Sequence, residues 1–161
     1  MKNLPGLKAE SPLSKIKSLT FVIYDLEDAR PHFSSQVEIF NPKPTEIIKE
    51  AITNELMRNG HKVLNMADAN RADVMIHGDV RCFNFDFYHK PYVFNIETKL
   101  AITTNYNSDN PLIKVYRGKV EFKATFVNKR REFASIALLE MIKEFTSDPN
   151  FLDVLQEINK S

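Results

Sequence analysis

Between Ala72 and Phe126 apolar and polar residues alternate almost without a break, and the alternation stops only at HKPY (89–92) and NYNSDNP (105–111). A period of two sends successive side chains to opposite faces of a sheet, so the stretch reads as three long strands in an antiparallel meander with one wet face. Its phase is not constant. Val74, Ile76, Val80 and Cys82 share one parity, while Phe83, Phe85 and Phe87 share the other. That change predicts a β-bulge near Arg81 to Phe83, which resets the inward face. In the next strand Phe94, Ile96, Thr98, Leu100 and Ile102 alternate with Asn95, Glu97, Lys99 and Thr103. In the third, Tyr116, Gly118, Val120, Phe122, Ala124 and Phe126 face one way and Lys119, Glu121 and Lys123 the other. A hairpin centred near Ser108 places Glu97 close to Lys119 across the strands.

An apolar sheet face needs a cover, and the rest of the chain supplies one. PTEIIKEAITNELMRNG (44–60) carries Ile47, Ile48, Ala51, Ile52 and Leu56 on one helical stripe, with Thr45 as a candidate N-cap and Gly60 where a left-handed C-terminal cap belongs. REFASIALLEMIKEFTSD (131–148) spaces Phe133, Ile136, Ala137, Leu139, Glu140, Ile142 and Phe145 mostly as a helix does, and ends at Asp148-Pro149. PNFLDVLQEI (149–158) adds a short last helix opening on proline. Upstream, SLTFVIYDL (18–26) reads as a buried first strand, the stretch from about Asp28 to Pro42 as a loop, HKVLNM (61–66) as a short strand and ADANRAD (67–73) as a polar turn. The expected fold class is α+β: a mostly antiparallel sheet of about five strands, two main helices packed on one face, and a short C-terminal helix. Residues 16–161 form the single domain and residues 1–15 a flexible leader or tether.

Composition narrows the partners. The chain has 161 residues, enough for one core, and 22 basic against 21 acidic side chains for a net charge of +1. That is no footprint for a polyanion, so nucleic acid is not an expected partner. Twelve phenylalanines and no tryptophan point to a phenylalanine-built core. A single cysteine, Cys82, excludes an internal disulfide and a cysteine-rich zinc site. The N-terminus has no apolar run of the roughly 18 residues that a membrane span needs, nor a signal-peptide core.

YDLEDARPHFSS (24–35) has the vocabulary of a catalytic loop. Asp25, Glu27 and Asp28 offer carboxylates, His32 a base, Ser34 and Ser35 nucleophiles. No G-x-S-x-G elbow or glycine-rich turn marks an oxyanion hole, so the expectation is a structural signature in which Asp28 and Arg30 pair to fix the loop. No catalytic residue, metal or cofactor is assigned. His32, His61, His77 and His89 lack metal-ligand spacing, and His77 reads as a hydrogen-bonded strand histidine. Cys82 reads as a buried small apolar residue. Two stretches are candidate partner or lipid surfaces: Phe83, Phe85, Phe87 and Tyr88 of the aromatic hairpin, if the phase change exposes them, and the basic cluster Lys129, Arg130 and Arg131. Against each stands the plainer reading of core packing or a solvated turn.

The pattern resembles the YajG-like family of bacterial lipoproteins. FVIYDLEDARP is similar to that family's first strand and Asp-x-Arg-Pro-like turn, and PTEIIKEAITNELMRNGHKV to its amphipathic helix, glycine and short strand. ADVMIHGDV, VFNIETKLAITT, YRGKVEF and the closing helix with DPNFLDVL extend the resemblance over roughly residues 18 to 156. It implies a domain without enzymatic activity, tethered by a lipidated N-terminal cysteine to the periplasmic face of a bacterial membrane, the outer one above all. This sequence has no such cysteine, so the expectation is a chain trimmed after the lipidation site; a native start at Met1 would instead mean a cytoplasmic protein. The expected function is binding of an envelope protein partner through a sheet edge or the aromatic hairpin, with homo-oligomerisation left open. The alternatives are a carrier of a small hydrophobic ligand or lipid in a phenylalanine-lined pocket, and a hydrolase using residues 25–35.

Overall fold

A computed structural model describes residues 11–31, 42–86, 91–122 and 130–160. They contain strands β1 (Thr20–Ile23), β2 (Glu27–Asp28), β3 (Lys62–Leu64), β4 (Val74–Asp86), β5 (Tyr92–Thr104) and β6 (Leu112–Phe122). The helices are α1 (Pro44–Arg58), α2 (Arg130–Thr146) and α3 (Pro149–Asn159), with 3-10 turns at Pro12–Lys15 and Met66–Arg71. The strands form one sheet in the order β3-β1-β4-β5-β6, with β2 beside β4. It is a mixed sheet. The meander β4-β5-β6 is antiparallel, but β1 runs parallel to both β3 and β4, and β2 runs parallel to β4. The expectation of a mostly antiparallel sheet therefore describes only the meander. The correction follows from α1, whose passage between β1 and β3 is a crossover that returns the chain in its original direction.

The sequence periodicity explains the layers. Phe21, Ile23, Val74, Ile76, Val80, Phe94, Ile96, Leu100, Ile102, Tyr116 and Phe122 point to one side, where they join Ile48, Ile52 and Leu56 of α1, Ala137, Met141, Ile142 and Phe145 of α2, and Phe151 and Leu155 of α3 in one buried core. Its rings meet directly: Phe145 packs on Phe151 with centroids 4.4 Å apart, and Phe83 edge-on to Phe94 at 5.1 Å. Each such fully buried side chain contributes roughly 1.5–3 kcal/mol of transfer free energy. The β4 phase change is a bulge. Val80 pairs with Thr98 and Cys82 with Glu97, so Arg81 is the extra residue, and Phe83 and Phe85 inherit the inward face. A second insertion lies across the same strand, because positions 23 to 27 of β1 and β2 span only 76 to 79 of β4. The expected loop from Asp28 thus begins with a strand.

Helix α1 starts one residue before the expected cap: Lys43 is the N-cap without a side-chain bond, and Pro44 opens the first turn with its backbone already helical in φ. Its end follows expectation. Gly60 takes φ +88°, its N–H donates to the Met57 carbonyl at 3.1 Å, and the N–H of His61 donates to the Leu56 carbonyl at 3.1 Å. Those two bonds are the Schellman cap, which turns the chain inward at His61. The expected leader is in part folded: Leu13 and Ile16 are buried around the first 3-10 turn, while residues 1–10 lie outside the described residues. No described helix is long and apolar enough to cross a membrane.

Gly118 of β6 faces α2. A methyl group there would overlap the Ala137 carbonyl oxygen and lie 3.0 Å from the Met141 nitrogen, both backbone atoms that cannot swing aside. Gly60 has open space around its missing Cβ. Gly60→Ala is expected to cost about 1 kcal/mol through φ alone. Gly118→Ala should cost about 3 kcal/mol or more by lifting α2. Urea unfolding of both variants checks the order; equal losses would mean α2 is not seated on Gly118.

Candidate functional site

The side chains of opposite parity form the other face of the sheet, where Val22 of β1 is fully buried while His77 and Ile113 are exposed. Pairing places them in rows. Tyr24 stacks on His77 with ring centroids 4.1 Å apart and planes within 10°, His77 lies opposite Ala101, and Ala101 opposite Ile113, which is 52% exposed. The following rows are Asp79, Lys99 and Val115; Cys82, Glu97 and Arg117; Asn84, Asn95 and Lys119; and Asp86, Val93 and Glu121. One end of this face is aromatic and aliphatic, and the rest carries charges of both signs. Those charges pair locally: Arg81 with Asp79 at 3.0 Å, Arg117 with Glu97 at 3.1 Å, Lys119 with Glu121 at 3.3 Å. Exposed pairs of this kind hold side chains in place more than they stabilise.

Glu97 therefore meets Arg117, two residues along β6 from the expected Lys119, which lies opposite Asn95. The cause lies in the turn. Asn107 accepts hydrogen bonds from the backbone N–H of Thr104 at 2.5 Å and its hydroxyl at 3.2 Å, and donates to the Ile102 carbonyl at 3.2 Å. An asparagine bonded back to its own strand centres the hairpin on Asn107 in place of Ser108.

In the stretch with catalytic vocabulary, Asp25, Asp28 and Arg30 each enter an ion pair. Asp28 receives both the Nε and a terminal nitrogen of Arg30 at 2.9 Å, together with the Arg30 N–H at 3.2 Å. The fork holds the chain as it leaves β2, and this close carboxylate raises the Arg30 pKa. Asp25 takes Lys49 of α1 at 2.7 Å. His32, Ser34 and Ser35 lie outside the described residues, as does His89. Among the described residues, no three His, Cys, Asp or Glu side chains are placed to hold a metal ion.

Cys82 is half-buried on the open face and donates its S–H to the Asn84 Oδ1 at 2.8 Å. Burial, then the negative charge of Glu97, pushes its pKa from 9.0 up to about 11, so the thiol stays protonated at neutral pH. His77 is exposed and stacked, where a hydrogen-bonded strand histidine was expected. Phe83 and Phe85 are corrected as candidate surface residues: at 2% and 7% exposure they belong to the core, because the bulge turns them beneath the helices. Phe87, Tyr88 and Lys129 lie outside the described residues. Arg130 opens α2 and Arg131 is exposed in its first turn.

Two buried polar residues escaped the sequence reading. Asp148, 6% exposed, caps α3 by accepting the Asn150 N–H at 3.0 Å, and also receives the Tyr116 hydroxyl at 2.7 Å and Lys114 Nζ at 2.8 Å. Burial by itself raises a carboxyl pKa; here the bonds from Lys114, Tyr116 and Asn150 outweigh it and hold Asp148 below the usual range. Burial, and then the bond to Asp148, pushes the Tyr116 phenol well above its ordinary range. The signal was the Asp-Pro pair, an N-cap followed by an N1 proline as well as a helix end. The other is His61, 4% exposed, whose ring bridges two backbone groups. Nothing in its local sequence marks it.

The sequence matches no protein-family model and no curated protein. Solved structures do match. Protein XCC0632 from Xanthomonas campestris, of the DUF330 family, superimposes with a TM-score of 0.70 over 90% of both chains at 13% identity. This chain shares that fold. The hypothetical protein CT253 from Chlamydia trachomatis gives 0.52 over 89% of this chain and 95% of its own, at 9% identity. The PelC dodecamer from Paraburkholderia phytofirmans gives 0.51 over 81% and 88%, at 10% identity.

Asp148→Ala is expected to cost about 3 kcal/mol at neutral pH, since it strands a buried hydroxyl and a helix end. Because its folded pKa is depressed, the charge of Asp148 stabilises the fold above the usual carboxylate range and ceases to do so as pH falls through the folded value. The stability gap between wild type and Asp148→Asn should therefore close below about pH 4. A gap that persists unchanged there would remove the charge from the account. For Cys82, a thiol at about 11 against 9.0 implies a thiolate fraction lower by about a hundredfold. Aromatic-disulfide labelling at mildly alkaline pH should be slower than for free cysteine by that order, and normal after denaturation.

Proposed function

We propose that the chain is a YajG-like, non-catalytic domain of the bacterial envelope, held to the periplasmic face of a membrane through a lipid anchor ahead of the folded part, and that it binds a protein partner on its open sheet face. The observation that carries this reading is the face opposite the helices. The buried apolar side chains of the three helices join one core cluster with one parity of the sheet residues. The other side is left with a stacked Tyr24–His77 pair, Ala101 and the exposed Ile113 in one row, bordered by locally paired charges. An apolar strip rimmed by neutralised charge suits protein recognition, where the centre desolvates and the rim stays wet. In the stretch with catalytic vocabulary, the non-catalytic half of the proposal is supported by Asp25 and Asp28, which are engaged by Lys49 and Arg30.

The envelope assignment rests on the sequence resemblance, and the fold shared with XCC0632 is compatible with it. PelC, of the same fold, assembles as a dodecamer, and self-association belongs to the proposal as one form the partner can take. The lipid-carrier alternative loses support, since the phenylalanines that would line its pocket pack ring against ring. The test is the native gene product in its own cell: membrane fractionation together with the mass of the mature N-terminus. A lipid-modified cysteine upstream of residue 2 in the envelope fraction is expected; an unmodified soluble protein beginning at Met1 overturns the reading. For the face itself, Ile113→Asp should leave stability within about 0.5 kcal/mol while abolishing partner crosslinking in cells. Unchanged crosslinking would move the contact elsewhere.

A further inference from the structure

We infer that His61 is an acid-releasable latch that fastens the N-terminal segment Ser11–Leu19 to the domain. The Schellman cap at Gly60 aims this histidine inward. There the N–H of Leu19 donates to His61 Nδ1 at 3.1 Å, and His61 Nε2 donates to the Leu13 carbonyl at 2.9 Å. This pairing admits one form of the ring, neutral with its hydrogen on Nε2. The segment then closes over the site, with Leu13 fully buried, Ile16 and Leu19 nearly so, and Phe21 edge-on to the imidazole at 5.5 Å.

A second proton can enter this ring only at Nδ1, the position that Leu19 N–H already occupies. Protonation therefore replaces a hydrogen bond with two opposed N–H groups and puts a positive charge in an apolar site, whereas leaving the site restores solvation to both. Imidazole is the side chain suited to make that exchange near neutral pH. The charged groups on the surrounding elements do not offset it. Lys15 and Lys17 on the segment and Lys62 on β3 are exposed, Glu55 and Arg58 on the last turn of α1 pair with each other, and Asp73 ahead of β4 accepts from the Thr20 N–H and hydroxyl at 2.9 Å. The segment meets the ladder at its end, where the Leu19 carbonyl accepts from the Lys62 N–H at 3.0 Å; the pairing of β1 with β4 and of the meander does not involve it.

Release frees nine residues, 11 to 19, between the domain and whatever precedes Ser11. Extended, they add about 30 Å of reach. This use as an adjustable tether rests on the envelope reading, but the latch does not. If the protein proves to be unanchored, a latch that opens in vitro still stands.

The test is hydrogen exchange on the purified chain between about pH 8 and about pH 5, read as protection factors so that the intrinsic pH dependence cancels. The Leu19 amide and residues 11–16 are expected to lose protection by at least about tenfold on acidification, with β4 and β5 unaffected. In His61→Gln, whose amide can accept and donate at the two positions without titrating, the profile should be flat. Unchanged protection in wild type, or an equal loss in both proteins, overturns the latch. Should His61→Gln fail to fold, imidazole nitrogen shifts of the wild type decide. Protonation that moves together with the Leu19 amide supports the latch, while a ring that stays neutral, or that titrates without moving Leu19, overturns it.

Discussion

Helix α2 rests its backbone on the sheet at Gly118, and the spacing of the two layers follows from that contact. With no side chain between them, the helix drops into a slot whose walls are the larger residues of β6. Tyr116 packs edge-on to Phe145 on one side, and Phe122 stacks on Phe133 at 4.3 Å on the other. Once α2 is placed, Asp148 two residues after its end is carried to Tyr116 and Lys114, where it caps α3 and ties that helix to β6. A single glycine thereby fixes the depth of one helix and, through it, the position of the next. This arrangement gathers the buried side chains of the three helices on one face, and among the described residues the other face carries the exposed His77 and Ile113.

The meander was legible in the sequence because its signal is local. Alternation at period two, a phase break at Arg81 and turn residues at 105–111 each report on a few neighbouring positions, and each has its counterpart in β4 to β6, with Lys123, Ala124 and Phe126 outside the described residues. The parallel half was not, since the direction of β1 relative to β4 depends on where α1 carries the chain. The hairpin register differs by two residues, with the turn centre moved by one, for a related reason: the Asn107 side chain bonds chosen at the turn outweigh the symmetry of the loop length.

The candidate site divides in the same way. Asp28 and Arg30 are two positions apart, and their pairing could be read from charge and spacing. The row Tyr24, His77, Ala101 and Ile113 gathers the residue after β1 and one residue each from β4, β5 and β6, and no linear pattern announces it. His61 and Asp148 were missed because each acts on groups far along the chain, Leu13 and Leu19 in one case, Lys114 and Tyr116 in the other. Phe83 and Phe85 went the opposite way. Their alternation was seen, but which face they would take depended on how the bulge was resolved.

That bulge gives β4 two reading frames. Up to Val80 even-numbered residues point into the core, and from Phe83 odd-numbered ones do, with Arg81 as the residue between frames. Deleting it would merge the two frames: Val80 opposite Thr98 and Cys82 opposite Glu97 would become successive rungs of a regular ladder, with Phe83 and Phe85 still on the inward face. Arg81 is thus the one residue of the strand that the pairing does not need. What it supplies is the local bend and added twist of β4, the curvature with which the far half of the sheet wraps the core.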